Sequence, residues 1–390
     1  MFRFIVFITI LIPLLAILFG IIENAQYVSL PKPKYLGPII NQSPLKSNEF
    51  GRYIKPFLAI DYSWVSSSKL SNFFTLKHWD FKSISTDRYF TVAAIANFNY
   101  IAHAFIYVVD RKNPDKPFYQ YSSRSILALA IKEQAKSSVD GCTHFYQSSS
   151  EYIRLCYNKH EQVYEIDVNV PMSDGLQISF DYKINFSSEQ DQSMALVYPV
   201  EITRPAYTHK VAGLPSQGQI SIGNDNKHDL INGVSSMDWT LAYSERLSRW
   251  KWACLSVVGT NSSNNKPVTI GINLSDMVYN DENGISMESA IWIAGQVYTL
   301  NKIVYKLPEE RYQTSQPWQI YSTGEINSKI PKINLTFQPW GSQEEHINVF
   351  LVAGDFVQAF GTYNGTIELF DHTYFIEDGF GVAENHYAKW

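Results

Sequence analysis

Four stretches of the chain carry residues suited to proton transfer inside an apolar site. Asp238 stands beside Trp239, with Tyr243 just beyond. Glu288 precedes Trp292 by four residues. Trp250 and Trp252 alternate, so in a strand they share a face. Glu384 and His386 sit close to Tyr387 and Trp390 near the C-terminus. A carboxylic acid surrounded by apolar groups keeps its proton towards neutral pH and can deliver it. If the acceptor is a carbon–carbon double bond, a cation forms. Aromatic faces stabilise that cation, provided water entry is controlled. On this reading Asp238 or Glu288 is the proton donor. Trp239, Tyr243, Trp250, Trp252, Trp292, Glu384 and His386 then line a ligand site.

Each residue also has a simpler reading. Asp238 can pair with Arg246 or Arg249, or accept an indole N–H, and brace two strands. Glu288 can be paired in the same way, because carboxylates inside a fold usually are. Glu384 and His386 can lock the C-terminal segment in place. The tryptophans can be core or pocket wall. His103 lies in an apolar strand and reads as a core histidine.

Several chemistries are excluded at motif level. The chain has no GxSxG elbow, no GxxxxGK[ST] or GxGxxG loop and no HExxH. The histidines and the three cysteines lack metal-ligand spacing, so no metal and no cofactor is expected. Net charge is -5 with no basic block, which argues against nucleic acid. Cys142 and Cys156 can form a disulfide if the chain is exported. Cys254 reads as a buried apolar residue.

The elements that must position these residues are mainly strands. Aromatics make up 15% of the 390 residues, and these favour half-buried strands. Residues 178–186 alternate strictly, with Ile178, Phe180, Tyr182, Ile184 and Phe186 on one face. The same period recurs at 166–170, 268–275 and 333–337. Hairpin signals stand at Asp174-Gly175, Asn232-Gly233, Asn283-Gly284 and Asn364-Gly365. Only residues 125–136 read as helix. Residues 4–22 carry no charge and are long enough to span a bilayer. Residues 1–25 are therefore expected to be a signal anchor or a signal peptide, placing the body outside the cytoplasm. The Pro-rich stretch 26–50 reads as a linker. Asn-x-Ser/Thr triplets stand at Asn185, Asn261, Asn273, Asn334 and Asn364.

An ordered series of motifs then carries a resemblance. It runs THKVAGLPSQGQISIG at 208–223, SSMDWTLAYSERLSRWKWA at 235–253, GINLSD at 271–276 and MESAIWIAGQVYTLNKIVYKL at 287–307. FGTYNGTIELFD at 360–371 and GFGVAENHYAKW at 379–390 complete it, and KHWDFKSISTDRYFTVAAIANFNYIAHAFIYVVDR at 77–111 extends it into the first half. The series resembles the family called domain of unknown function 2804. Ser289 departs from the pattern, which favours Asn there, and so does Ala242, where Gly is frequent. More remotely, the chain is similar to the superfamily of carotenoid hydratases, tocopherol cyclase and AttH-like proteins. The resemblance implies an all-β fold of two lipocalin-like antiparallel β-barrels, at 51–210 and 211–390. Three functions follow as expectations: binding of a bulky isoprenoid- or lipid-like molecule beside a membrane, acid-catalysed hydration or cyclisation of an isoprenoid, or a structural role with a filled barrel.

Overall fold

The computed structural model describes residues 31–40 and 48–390, except 114–117, 173–174, 202, 224–227, 310–315, 325–328 and 350–351, together with positions 14, 17, 18 and 21. Most of the apolar run at 4–22, and Asp174 of the expected Asp-Gly turn, lie outside the described residues. Among the described residues no helix is long and apolar enough to cross a membrane.

The chain forms two curled antiparallel sheets, each a half-barrel, in keeping with the all-β expectation. Among the described residues the first has 14 strands. It runs from an edge strand, Phe118–Ile126, through Ile101–Asp110, Tyr89–Asn97 and Leu76–Ser85 to His228–Tyr243 and Arg204–Ile222. It continues through Gln177–Asn185 to the Ile131–Glu133 edge. The second sheet has nine strands, with Leu247–Asn261 beside His372–Lys389 at its centre. The boundary expected near 210 falls inside the first sheet, because Arg204–Ile222 and His228–Tyr243 both belong to it. The chain changes sheets between Tyr243 and Leu247.

Alternation explains the burial. In Gln177–Asn185 the residues Ile178, Phe180, Tyr182 and Ile184 are buried, while Asp181 and Lys183 are exposed. One core fills the first sheet, and a second fills the curl of the other. A third core joins them, with Phe81, Phe90, Phe105 and Tyr107 packed against Trp252, Phe360, Phe380 and Val382. Each such side chain contributes roughly 1.5–3 kcal/mol through burial.

Local signals misled at three places. Residues 125–136 are not a helix: the Phe118–Ile126 strand ends in a turn with Leu127 and Ala128 both at φ +52°. Ala130 N–H donates to Ser125 Oγ at 2.8 Å and closes that turn. The helix that does form, Lys69–Thr75, starts at Ser68, whose Oγ accepts from Ser71 N–H at 3.1 Å. Asn232-Gly233 and Asn364-Gly365 are not hairpin tips either. Both sit at register shifts inside long strands, where bulges bend the sheet. Cys142 and Cys156 face each other across adjacent strands and are disulfide-bonded. Cys254 is buried, and burial pushes its thiol up to about 12.

The two sheets come backbone to backbone at a pair of glycines. Gly213, at φ +79°, faces Gly271, and a Cβ on Gly271 would fall on the Ala212 carbonyl. Overpacking there has no soft side chain to absorb it. Gly271→Ala is expected to cost roughly 3 kcal/mol. Urea unfolding would measure this, and an unchanged midpoint would show that the contact does not set the sheet spacing.

Candidate functional site

A cavity of about 680 Å³ opens between the sheets. Trp79 and Phe81 line it from Leu76–Ser85, and Lys210, Asp238 and Thr240 from the two neighbouring strands. Trp250, Trp252, Gln358, Glu384 and His386 line it from the second sheet. Glu288 enters from the loop before the Ala290–Ile293 strand.

Strand register builds the polar floor. Lys210 and Asp238 are direct cross-strand partners and form an ion pair. Glu288 Oε1 lies 2.7 Å from the same ammonium. The Thr240 hydroxyl is 3.2 Å from Asp238 and 2.7 Å from Thr208 Oγ1. Burial pulls the Lys210 pKa down, but the two carboxylates more than offset this and hold it above its ordinary value. For Asp238 burial wins over the pull of Lys210, and its pKa is raised.

Glu384 is in a different position. Its carboxyl accepts Trp250 Nε1–H at 2.8 Å and Gln358 Nε2–H at 2.6 Å. Tyr107 O–H in turn donates to Gln358 Oε1 at 2.7 Å. Glu384 is only 7% exposed, and among the described residues it makes no ion pair. Burial pushes its pKa up to about 7, against the lowering by the indole and amide donors. Trp250 pairs with His386 in the ladder, and their rings stack at 3.8 Å.

The structure therefore brings together Asp238, Glu288, Tyr243, Trp250, Trp252, Glu384 and His386. Trp239 and Trp292 do not line the cavity. Alternation along His228–Tyr243 turns Trp239 to the opposite face from Asp238, against His78 and Tyr207. Trp292 is buried in the first core, with its indole N–H on Gln192 O at 2.9 Å. Asp238 pairs with Lys210 rather than Arg246 or Arg249. Asp238 and Glu288 are thus both engaged by one cation, which leaves Glu384 as the buried carboxyl without one. His103 also lines the cavity, with Nε2 at 2.9 Å from Ser122 Oγ and 3.2 Å from Glu345. Asn273 is buried, accepts Trp252 Nε1–H at 2.8 Å and donates to Glu288 O at 3.0 Å, so its triplet serves packing.

Among solved structures, an AttH candidate from Nitrosomonas europaea matches with a TM-score of 0.47 at 10% identity, over 84% of this chain and 96% of that one. Kievitone hydratase from Nectria haematococca matches with a TM-score of 0.43 at 11% identity, over 91% and 97%. CghA matches with a TM-score of 0.41 at 7% identity, over 92% and 97%. These are distant likenesses of fold alone. No functionally curated protein matches the sequence. The family model described as Domain of unknown function (DUF2804) matches residues 44–390, and the chain belongs to that family.

The Glu384 environment has a pH signature. Folding raises its proton affinity, so the folded state holds a proton that the unfolded chain releases. That stability is fully present below the ordinary glutamate range near 4.5 and is lost as pH rises through about 7. The loss amounts to at most about 3 kcal/mol. Urea unfolding at intervals from pH 4 to 8 should show it in the parent chain and not in Glu384→Gln. Parallel profiles for the two proteins would contradict the assignment.

Proposed function

We propose that this member of the family binds a bulky, predominantly apolar small molecule, isoprenoid- or lipid-like, in the cavity between its sheets. The observation that carries the reading is the cavity itself. Its size of about 680 Å³ lies within the range of small-molecule sites, and aromatic faces wall it. Its polar groups can orient one end of such a ligand, with Lys210, Asp238, Glu288 and Glu384 near one another. A filled barrel would leave no such space. The uncharged run at 4–22 supports a body held at a membrane or exported, and the Cys142–Cys156 bond suits an oxidising compartment.

Native mass spectrometry of the full chain after exposure to a membrane lipid extract tests this. The expected result is an adduct of one apolar molecule, with Trp250→Ala weakening its retention about tenfold. A mass that stays free of adduct with every extract would defeat the binding reading.

A second reading is favoured by Glu384, a buried carboxyl near neutrality with an indole beside it. It suits acid catalysis on an alkene held in the same cavity. The carboxyl proton passes to one alkene carbon, and the cation at the other is steadied by aromatic faces. Water adds there and returns a proton to the carboxylate, so the acid is regenerated. Incubating a polyprenyl alkene in D2O would place deuterium on carbon, and Glu384→Gln would abolish this while still retaining the ligand. Equal incorporation by that variant would remove Glu384 from the chemistry.

A further inference from the structure

Five large apolar side chains stand out on the surface beside the cavity. Ile126 is 75% exposed, Leu129 70%, Leu70 68%, Leu127 58% and Phe74 50%. Single exposed apolar residues are ordinary, but a contiguous group is not. Leu70 and Phe74 are four apart on the Lys69–Thr75 helix and share a face. That helix buries none of its residues, so its apolar face is not spent on the core. Ile126, Leu127 and Leu129 belong to one turn, in which Leu127 sits in the left-handed region at φ +52°. Tyr100 joins the two elements. Its carbonyl accepts Leu127 N–H at 2.9 Å, and its ring lies 6.1 Å from that of Phe74. Tyr100 and Ile101 also line the cavity, and Ile101 is the ladder partner of Ile126.

We propose that this collar, formed by Leu70, Phe74, Ile126, Leu127 and Leu129 beside the cavity, docks on a lipid bilayer. The occupant is identified by three features. The collar offers apolar side chains, and exposed Lys69 and Lys132 flank it, as at a membrane interface. The apolar run of the chain ends at Ile22, ten residues before Lys32. Lys32 lines the cavity and pairs with Glu245 at 3.2 Å. Ten extended residues reach at most about 35 Å. Lys32 and the Tyr100 that joins the collar line the same cavity, so a bilayer that takes up the run would lie on the side of the molecule where the collar stands, and an apolar ligand could exchange between lipid and cavity without crossing water. The docking goes beyond the ligand reading: it can fail while binding stands, and the reverse.

The test places an environment-sensitive fluorophore on each element of the collar in the full chain. Leu70→Cys and Leu129→Cys are labelled separately, with Ser263→Cys on an exposed turn of the second sheet as the control. Phosphatidylcholine vesicles, with and without phosphatidylglycerol and doxyl-labelled chains, are added, and pelleting is followed in parallel. The expected result is a blue shift and doxyl quenching at Leu70 and Leu129 and neither at Ser263. Pelleting with both collar labels left in water would mean that the run at 4–22 holds the vesicle alone, and would overturn the proposal. Absence of pelleting would overturn it as well. Ligand uptake is measured separately on vesicle-free protein, so its failure leaves this result readable.

Discussion

A lysine ammonium with almost no access to water governs the arrangement of the site. Lys210 is 4% exposed and must be neutralised where it stands. Asp238 reaches it from the adjacent strand, and Glu288 from a loop that leads into the second sheet. One cation therefore ties that loop to the first sheet. The tie extends further, because Asn273 holds the Glu288 carbonyl and also accepts the Trp252 indole N–H. The floor of the cavity and one aromatic wall are fixed by the same neutralisation.

That commitment leaves Glu384 to its own surroundings. Its partners are the neutral donors Trp250 and Gln358, and Gln358 is held in turn by Tyr107 from the opposite sheet. Burial disfavours its charge, and the neutral donors offset that only in part, so it keeps its proton to about 7. Carboxyl groups in one cavity thus differ in their partners: Asp238 and Glu288 share one cation, and Glu384 meets neutral donors.

Much of the frame was legible in the sequence, because half-buried strands print their period directly. The alternation at 178–186 reappears as a strand with one buried face. Trp250, Trp252, Glu384 and His386 were singled out, and register brings them together. Trp239 and Trp292 were placed in the site by type alone, and one step of alternation sends Trp239 to the far face. Lys210 was missed because its partnership with Asp238 depends on which strands pair, and nothing local to THKVAGL announces that. The same ignorance of pairing hid Tyr107 and Gln358. The Asn-Gly signals marked bends correctly but could not distinguish a hairpin tip from a bulge inside a long strand. The apolar content of 125–136 suggested a helix because composition does not record that three of its residues face outward.

The backbone contact at Gly213 and Gly271 braces one side of the cavity. Lys210 lies only three residues from Gly213, so the polar floor sits beside this contact, while Tyr100, Ile101, Ile347 and Val352 stand on other strands of the cavity wall. Those outer strands are tied across as well, by the Arg124 and Glu345 ion pair and by the ring contacts of Phe105 with Phe356 and of Phe118 with Phe360. A space braced on both sides behaves as a mould: its guest must match the shape it finds, and the charge cluster stays where strand register put it.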